Sequence, residues 1–123
     1  MQEFKHVNAK TFEEASRELA DGRKVDNLRR RYADFLWNGE FLDVLGATVK
    51  GDNIRYTVFR NLKNGKKAVV VYNVDTKKAN TASVSIDGSS APLVMASPEK
   101  PAPAKFMGAV TLGPQSAVVI MEK

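Results

Sequence analysis

Three acidic residues around the end of a predicted helix come closest to an acid–base pair in this sequence. Asp34, Glu40 and Asp43 are near neighbours along the chain. Hydrolysis of a glycosidic bond needs two carboxyl groups about 5 to 10 Å apart across a cleft. Acidic residues that flank a helix end and a turn usually cap the backbone or face solvent. We therefore predict that this cluster is not a catalytic pair.

Other catalytic and metal-binding sites lack their minimal parts. His6 is the single histidine and there is no cysteine, which excludes disulfides, thiol nucleophiles, thiolate metal sites and paired histidine ligands. The chain contains no glycine-rich phosphate loop, no HExxH zinc motif and no GxSxG nucleophile elbow. We expect no cofactor, no metal and no catalytic residue, so the chain is not predicted to be an enzyme on its own.

Four aromatic residues are the candidates for a contact with carbohydrate or with a neighbouring domain. Trp37, Phe41, Tyr56 and Tyr72 have flat faces on which a sugar ring can stack. The competing interpretation is core packing, above all for Trp37 and Phe41, which flank a predicted corner between helix and strand.

The net charge of +5 is diffuse. Residues 1–40 hold eight Lys and Arg against eight Asp and Glu, whereas residues 41–123 hold eleven against six. The excess lysines fall mostly in predicted turns and do not alternate with stacking aromatic residues, so the pattern argues against nucleic acid as a partner.

Two helices are predicted at the N-terminal end. Thr11-Phe12-Glu13-Glu14 has the form of a capping box that begins the first helix, and Asp21-Gly22 ends it. The second ends at Asn38-Gly39, since glycine adopts positive φ at little cost. Its apolar face is formed by Val25, Leu28, Tyr32, Phe35 and Leu36.

Short strands are predicted through the rest of the chain. Their ranges are 47–50, 53–60, 68–74, 81–86, 92–96, 106–112 and 116–121. A two-residue type I′ turn at Asn64-Gly65 would pair Val58 with Val71. The resulting hairpin carries apolar residues on both faces, so we expect it in the middle of a sheet that is covered on both sides. The proline-rich stretch 97–104 is expected to be a surface loop or an edge crossover.

These elements predict a mainly β fold. We expect an antiparallel β-sandwich of six to eight strands over residues 47–123, preceded by one or two N-terminal helices in a lead-in and linker over residues 1–46. Met1–Lys5 lacks the basic and apolar regions of a signal peptide, and no apolar run approaches the ~20 residues of a membrane span. The chain as given is therefore expected to be soluble, without a membrane partner, and its compartment stays open.

Three segments carry a resemblance to a known type of domain. Residues 28–46, LRRRYADFLWNGEFLDVLG, resemble the segment by which TIM-barrel glycoside hydrolases of the α-amylase and α-galactosidase type, and related bacterial proteins, enter a C-terminal β-sandwich. Residues 65–73, GKKAVVVYN, are similar to a strand ending in Asn that recurs in such sandwiches. Residues 110–120, VTLGPQSAVVI, resemble their closing strand pair. Together the resemblance covers residues 28–123.

The resemblance implies a non-catalytic accessory domain. The catalytic carboxylates of such enzymes lie on barrel strands, and a barrel needs about 250 residues, so no catalytic residue can be carried over to this chain. The implied partner is the catalytic barrel of the same parent chain, which would be a glycoside hydrolase. Two alternatives remain open: a carbohydrate-binding module and a free-standing structural or interaction domain. An aromatic groove that binds sugar favours the first, and an exposed apolar patch favours the accessory role.

Overall fold

The computed structural model describes residues 30–36, 38–89 and 92–123, and it confirms the mainly β fold. The predicted helix at Thr11, residues 25–29 of the second helix, His6 and Trp37 lie outside the described residues. The described elements are helix α1 Ala33–Leu36 and strands β1 Glu40–Asp43, β2 Ala47–Lys50, β3 Ile54–Arg60, β4 Lys67–Asn73, β5 Asn80–Ile86, β6 Leu93–Ala96, β7 Ala104–Lys105, β8 Ala109–Leu112 and β9 Ala117–Glu122.

The strands form two antiparallel sheets in a sandwich-like arrangement. The larger sheet has six strands in the order β1-β3-β4-β9-β6-β7, and the smaller has three in the order β2-β5-β8. All pairings are antiparallel. The chain passes repeatedly between the two sheets, so neither sheet is a separate folding unit.

Burial along the strands explains which sheet is central. In β5 every second side chain is exposed from Thr81 to Ser85, as expected for a strand with one face in water. In β4 the side chains from Ala68 to Val71 are all buried, and in β9 those from Ala117 to Met121 are all buried. Continuous apolar runs of this kind are typical of strands covered on both faces. The expectation for the β3–β4 hairpin is therefore confirmed.

Between the two sheets lies the main hydrophobic core. The six-stranded sheet contributes Val58, Val69, Val71, Val118 and Ile120. The three-stranded sheet contributes Ala82, Val84, Ile86 and Leu112, together with the adjacent Ala47 and Phe106.

A second apolar layer covers the outer face of the six-stranded sheet. Leu36 of α1 is buried against it, and Tyr32 and Phe35 pack beside Leu36. The strand residues of this layer are Phe59, Ala68, Val70, Ala96, Val119 and Met121. The described part of the predicted apolar helix face, Tyr32, Phe35 and Leu36, thus docks on the sheet. Leu42 of β1 packs on the other face, against the inner core.

The β3–β4 turn is longer than the sequence suggests. Val58 pairs with Val69 and Phe59 with Ala68, so the predicted pairing of Val58 with Val71 is wrong by two residues. The amide of Asn61 donates to the carbonyl of Lys66, and the amide of Gly65 donates to the carbonyl of Asn61. Of the two turn residues only Gly65 has positive φ, at 74°, so the turn is not type I′.

Two edge strands were not predicted. β1 follows the end of α1 without any alternation of apolar and polar residues. β7 is a two-residue strand at the end of the proline-rich stretch, which was expected to be a surface loop or an edge crossover. An edge position tolerates the neighbouring Pro103, because a proline at the edge interrupts no central ladder. β1 lies ahead of residue 47, so the described part of residues 47–123 contains eight strands, within the predicted six to eight.

Gly39 ends the helical lead-in for a reason other than positive φ. Its φ is not among the positive values of this chain. A Cβ atom at this position would overlap the carbonyl oxygens of Phe35 and Arg60. Glycine is therefore required by the close approach of two backbone segments, which lets β1 pair with β3 directly after α1.

Candidate functional site

An open apolar groove lies on the outer face of the six-stranded sheet, beside α1. Its volume is about 600 Å³. The lining residues are Tyr32, Phe35, Pro92, Leu93, Val94, Pro103, Lys105, Met121, Glu122 and Lys123. We call this feature the α1–β6 groove.

Sheet geometry sets the floor of the groove. Val94 of β6 pairs directly with Met121 of β9, so their side chains stand side by side on the outer face. Both belong to the outer apolar layer, where Met121 is buried and Val94 is half-buried. Val94 also pairs with Lys105 of the edge strand β7, which brings Lys105 to the rim.

Opposite walls of the groove are tied together by one hydrogen bond. The hydroxyl of Tyr32 donates to the carbonyl oxygen of Pro101 at 2.5 Å. Tyr32 precedes α1, and Pro101 belongs to the proline-rich loop that leads into β7. The bond joins residues 69 positions apart and fixes the loop relative to the helix. The guanidinium carbon of Arg31 lies 5.9 Å from the centre of the Tyr32 ring.

The margin of the groove carries charges of both signs. The carboxylate of Glu122 accepts hydrogen bonds from the backbone amide of Lys67 at 2.9 Å and from the hydroxyl of Ser89 at 3.0 Å. Lys105 and Lys123 are exposed. The surface is therefore apolar at its floor and charged at its margin.

The three described aromatic candidates do not form one platform. Phe41 packs on Phe59 in the outer layer, with ring centres 6.1 Å apart. Tyr72 lies in the same layer. Phe59 pairs with Ala68 of β4, and Tyr72 is four residues further along that strand. The rise of a strand therefore places Tyr72 more than ~13 Å from Phe41. Tyr56 packs against the inner core on the opposite face. Trp37 is outside the described residues.

The three carboxylates also stay apart in their contacts. Asp34 accepts from the ammonium group of Lys63 at 3.2 Å, and Glu40 forms an ion pair with Arg60 across the β1–β3 pair. Asp43 lies in a bulge of β1 with φ of 58° and is exposed. Each group thus has a structural explanation.

A polar cluster holds the loops at one end of the sandwich. Asn73 is fully buried, and its amide group donates to the carbonyl oxygens of Lys78, Leu112 and Gly113. Its side-chain oxygen accepts from the amide of Asp75 and from the side chain of Asn80. The backbone amide of Lys77 is the main cause that holds the pKa of Asp75 below its ordinary value, with further contributions from Lys78 and Asn80. Every polar group named here has a hydrogen-bond partner within the chain, so the cluster has a structural role and holds the loops in place.

Metal-ligand clusters and membrane-spanning helices are both absent from the described part of the chain. No group of three or more His, Cys, Asp or Glu side chains there has the geometry for a metal ion. No helix there has the length and apolar character needed to cross a membrane.

Comparison with protein-family models, curated proteins and solved structures found no match for this chain.

The α1–β6 groove was not predicted from the sequence. Tyr32 and Phe35 were assigned to an apolar helix face, but nothing in the sequence places Pro103 or Lys105 beside them. The one local sequence pattern at the wall opposite α1 is the series of prolines after β6 that ends just before Lys105.

Proposed function

We propose that this chain is a non-catalytic accessory domain of a glycoside hydrolase, and that its α1–β6 groove packs against the catalytic barrel of the same parent chain. The groove itself carries the proposal, because a sizeable open apolar surface on a folded domain is typical of an interaction site. Tyr32 and Phe35 form its wall at the start of the described chain. The preceding part of the chain therefore joins the described fold beside the groove.

The chemistry of the groove favours a protein surface over a sugar. Carbohydrate sites combine aromatic faces with several polar groups that hydrogen-bond the hydroxyls. Here the Tyr32 hydroxyl donates to Pro101, and both carboxylate oxygens of Glu122 accept from groups of this chain. The floor of Val94 and Met121 is aliphatic. A carbohydrate-binding module is therefore the second candidate, supported by the rings of Tyr32 and Phe35 alone.

Binding in trans tests the proposal. The transcript that encodes this chain is sequenced upstream, and the region found there is produced as a separate polypeptide. We expect it to encode a barrel of about 250 residues that binds this chain in isothermal titration calorimetry. Val94→Lys and Pro103→Lys place a charge on the floor and the wall, and each should abolish the binding heat.

Leu62→Lys is the matched control. Leu62 is 62% exposed in the β3–β4 turn, away from the lining of the groove. This variant should bind like the unchanged chain, and circular dichroism should show all three variants folded. A reading frame without a catalytic domain, or binding that survives both groove variants, would contradict the proposal. Retardation of the chain in gels containing a polysaccharide, lost in Val94→Lys, would favour the carbohydrate-binding alternative.

A further inference from the structure

The two sheets end in four edge strands, and these edges differ in how they are protected. β1 and β7 border the six-stranded sheet, while β2 and β8 border the three-stranded sheet. An edge strand presents unpaired backbone N–H and C=O groups that can recruit another strand. Folded proteins block this with charges, prolines, bulges or very short strands.

Three of the edges carry such a device. β1 is interrupted by a bulge between Phe41 and Asp43. β7 has two residues and is flanked by Pro103. β2 ends in Lys50, and the side chain of Lys67 lies over Gly46 at its beginning.

β8 carries none of them. Residues 106–112, FMGAVTL, contain no charged residue and no proline, and no bulge interrupts the pairing of β8 with β5. Ala109 and Thr111 are exposed, and Met107 just before the strand is 78% exposed. No other described strand pairs with its outer side.

The hydrogen-bond pattern shows which backbone groups of β8 point outward. The amide of Val84 donates to the carbonyl of Gly108 at 3.0 Å, which continues the β5–β8 register of Ala82 with Val110. Hydrogen-bonded and non-hydrogen-bonded pairs alternate along an antiparallel ladder. Val110 and Leu112 therefore direct their N–H and C=O groups to β5, and Ala109 and Thr111 direct theirs to the free edge.

We propose that a second copy of this chain pairs with β8, edge to edge and antiparallel, about a twofold axis at Val110. In this register Ala109 of each copy faces Thr111 of the other, and each such pair exchanges two hydrogen bonds, four in all. Every outward backbone group of β8 then finds a partner. The axis is perpendicular to the sheet, so the inward faces of both copies remain inward.

Local charge does not oppose self-pairing at this edge. Each copy carries a net charge of +5, which opposes association over most of the surface. The uncharged run of residues 106–112 keeps like charges away from the axis. The product is one continuous sheet made of the three-stranded sheets of two copies. A contact of this size is small, so the dimer should dissociate on dilution.

A single introduced cysteine tests the register, since the chain has none of its own. Val110→Cys places two thiols on the axis, in a non-hydrogen-bonded pair with Cα atoms about 4.5 Å apart, within disulfide range. Mild oxidation should give a disulfide-linked dimer in non-reducing gels. Val49→Cys is the matched control, because Val49 is an equally half-buried valine on the opposite edge strand of the same sheet. It should give no disulfide-linked dimer.

Sedimentation velocity tests the backbone pairing. The unchanged chain should rise with concentration from 13.5 kDa toward twice that mass. Thr111→Pro removes an outward N–H without removing a backbone bond to β5 and should weaken association by about tenfold or more. Thr111→Val keeps the N–H and should associate normally; it is the matched control because both variants lose the 2.9 Å hydrogen bond between the hydroxyls of Thr111 and Thr81. Monomers at every concentration, or equal cross-linking of both cysteine variants, would overturn the proposal. So would capture of an unrelated extended peptide by β8 with no self-association.

Discussion

At the scale of single residues, Asn73 shows how a buried polar side chain is used in this fold. It ends β4 and reaches the β4–β5 loop through Lys78 and the β8–β9 loop through Leu112 and Gly113. Its backbone amide also donates to the carbonyl of Ser116 at 2.9 Å. One side chain therefore fixes two crossovers between the sheets. The sequence marks the position as an Asn at a strand end, but its partners depend on loop geometry that no local pattern specifies.

Removing this side chain should destabilise the fold strongly. Asn73→Ala leaves the buried carbonyls and the amide of Asp75 without their partner, and we expect a loss of about 2 to 4 kcal/mol in the free energy of unfolding by urea. Asn64→Ala, which removes one exposed turn contact to the amide of Lys66, should cost well under 1 kcal/mol. Similar losses of unfolding free energy in Asn73→Ala and Asn64→Ala would refute the structural role of the Asn73 side chain.

Asp75 should make stability depend on pH. Its pKa in the folded chain lies below the ordinary value of 3.8, mainly because the backbone amide of Lys77 donates to the carboxylate. The ionised form thus stabilises the fold above pH 3.8, and this contribution is lost as the pH falls through the folded-state pKa. Asp75→Asn should lower the melting temperature at neutral pH and match the unchanged chain more closely in acid. A difference in melting temperature between the two chains that stays constant from neutral pH to acid would contradict the stabilising role of the ionised Asp75.

At the scale of elements, strand positions could be predicted from the sequence because burial leaves a pattern. The alternation in β5 and the apolar runs in β4 and β9 each identify a strand and the number of its covered faces. The error of two residues in the β3–β4 register arose from the loop, which spans four residues rather than two. Because side chains alternate with a period of two, this error left every residue on its correct face. β1 and β7 lack such a pattern, and their pairing depends on neighbours distant in sequence.

The turn of this hairpin should depend on the conformation of Gly65. A β-branched residue is strained at a φ of 74°, so Gly65→Val should cost on the order of 1 kcal/mol or more, although a Cβ there would touch nothing. Gly65→Asn should cost less, since Asn tolerates positive φ. The urea midpoints of the two variants provide the comparison, and equal midpoints would place the strain elsewhere.

The docking of α1 should contribute a large share of stability through one leucine. Leu36 is 2% exposed and packs on the outer layer, whereas Leu62 is 62% exposed. Leu36→Ala should cost about 2 to 5 kcal/mol in thermal or urea unfolding, and Leu62→Ala about 0.5 kcal/mol or less. A small effect at both positions would show that α1 is held only weakly against the sheet.

At the scale of the whole molecule, the unequal sizes of the two sheets have a structural consequence. The six-stranded sheet is apolar on both faces, and α1 covers only part of the outer one. The groove remains between α1 and the β6–β7 edge. Its walls come from Tyr32 and from residues near 103 and 123, so long-range topology creates it. The strand patterns in the sequence predict a sheet covered on both faces, but they do not locate the α1–β6 groove.

The isolated chain should hydrolyse no glycoside. A retaining or inverting hydrolase needs two carboxyl groups facing one cleft, one as acid and one as base or nucleophile. Asp34 pairs with Lys63, Glu40 pairs with Arg60, and Asp43 is exposed in the β1 bulge, so two of the three carboxylates are held in ion pairs. Highly purified chain should leave aryl glycosides unchanged over prolonged incubation. Turnover that disappears in Asp34→Ala, Glu40→Ala or Asp43→Ala would contradict this expectation, whereas turnover that persists in all three would point to a contaminating enzyme. The proposed accessory role requires that glycoside hydrolysis belong to the parent barrel. Hydrolysis by the isolated chain would therefore contradict that role.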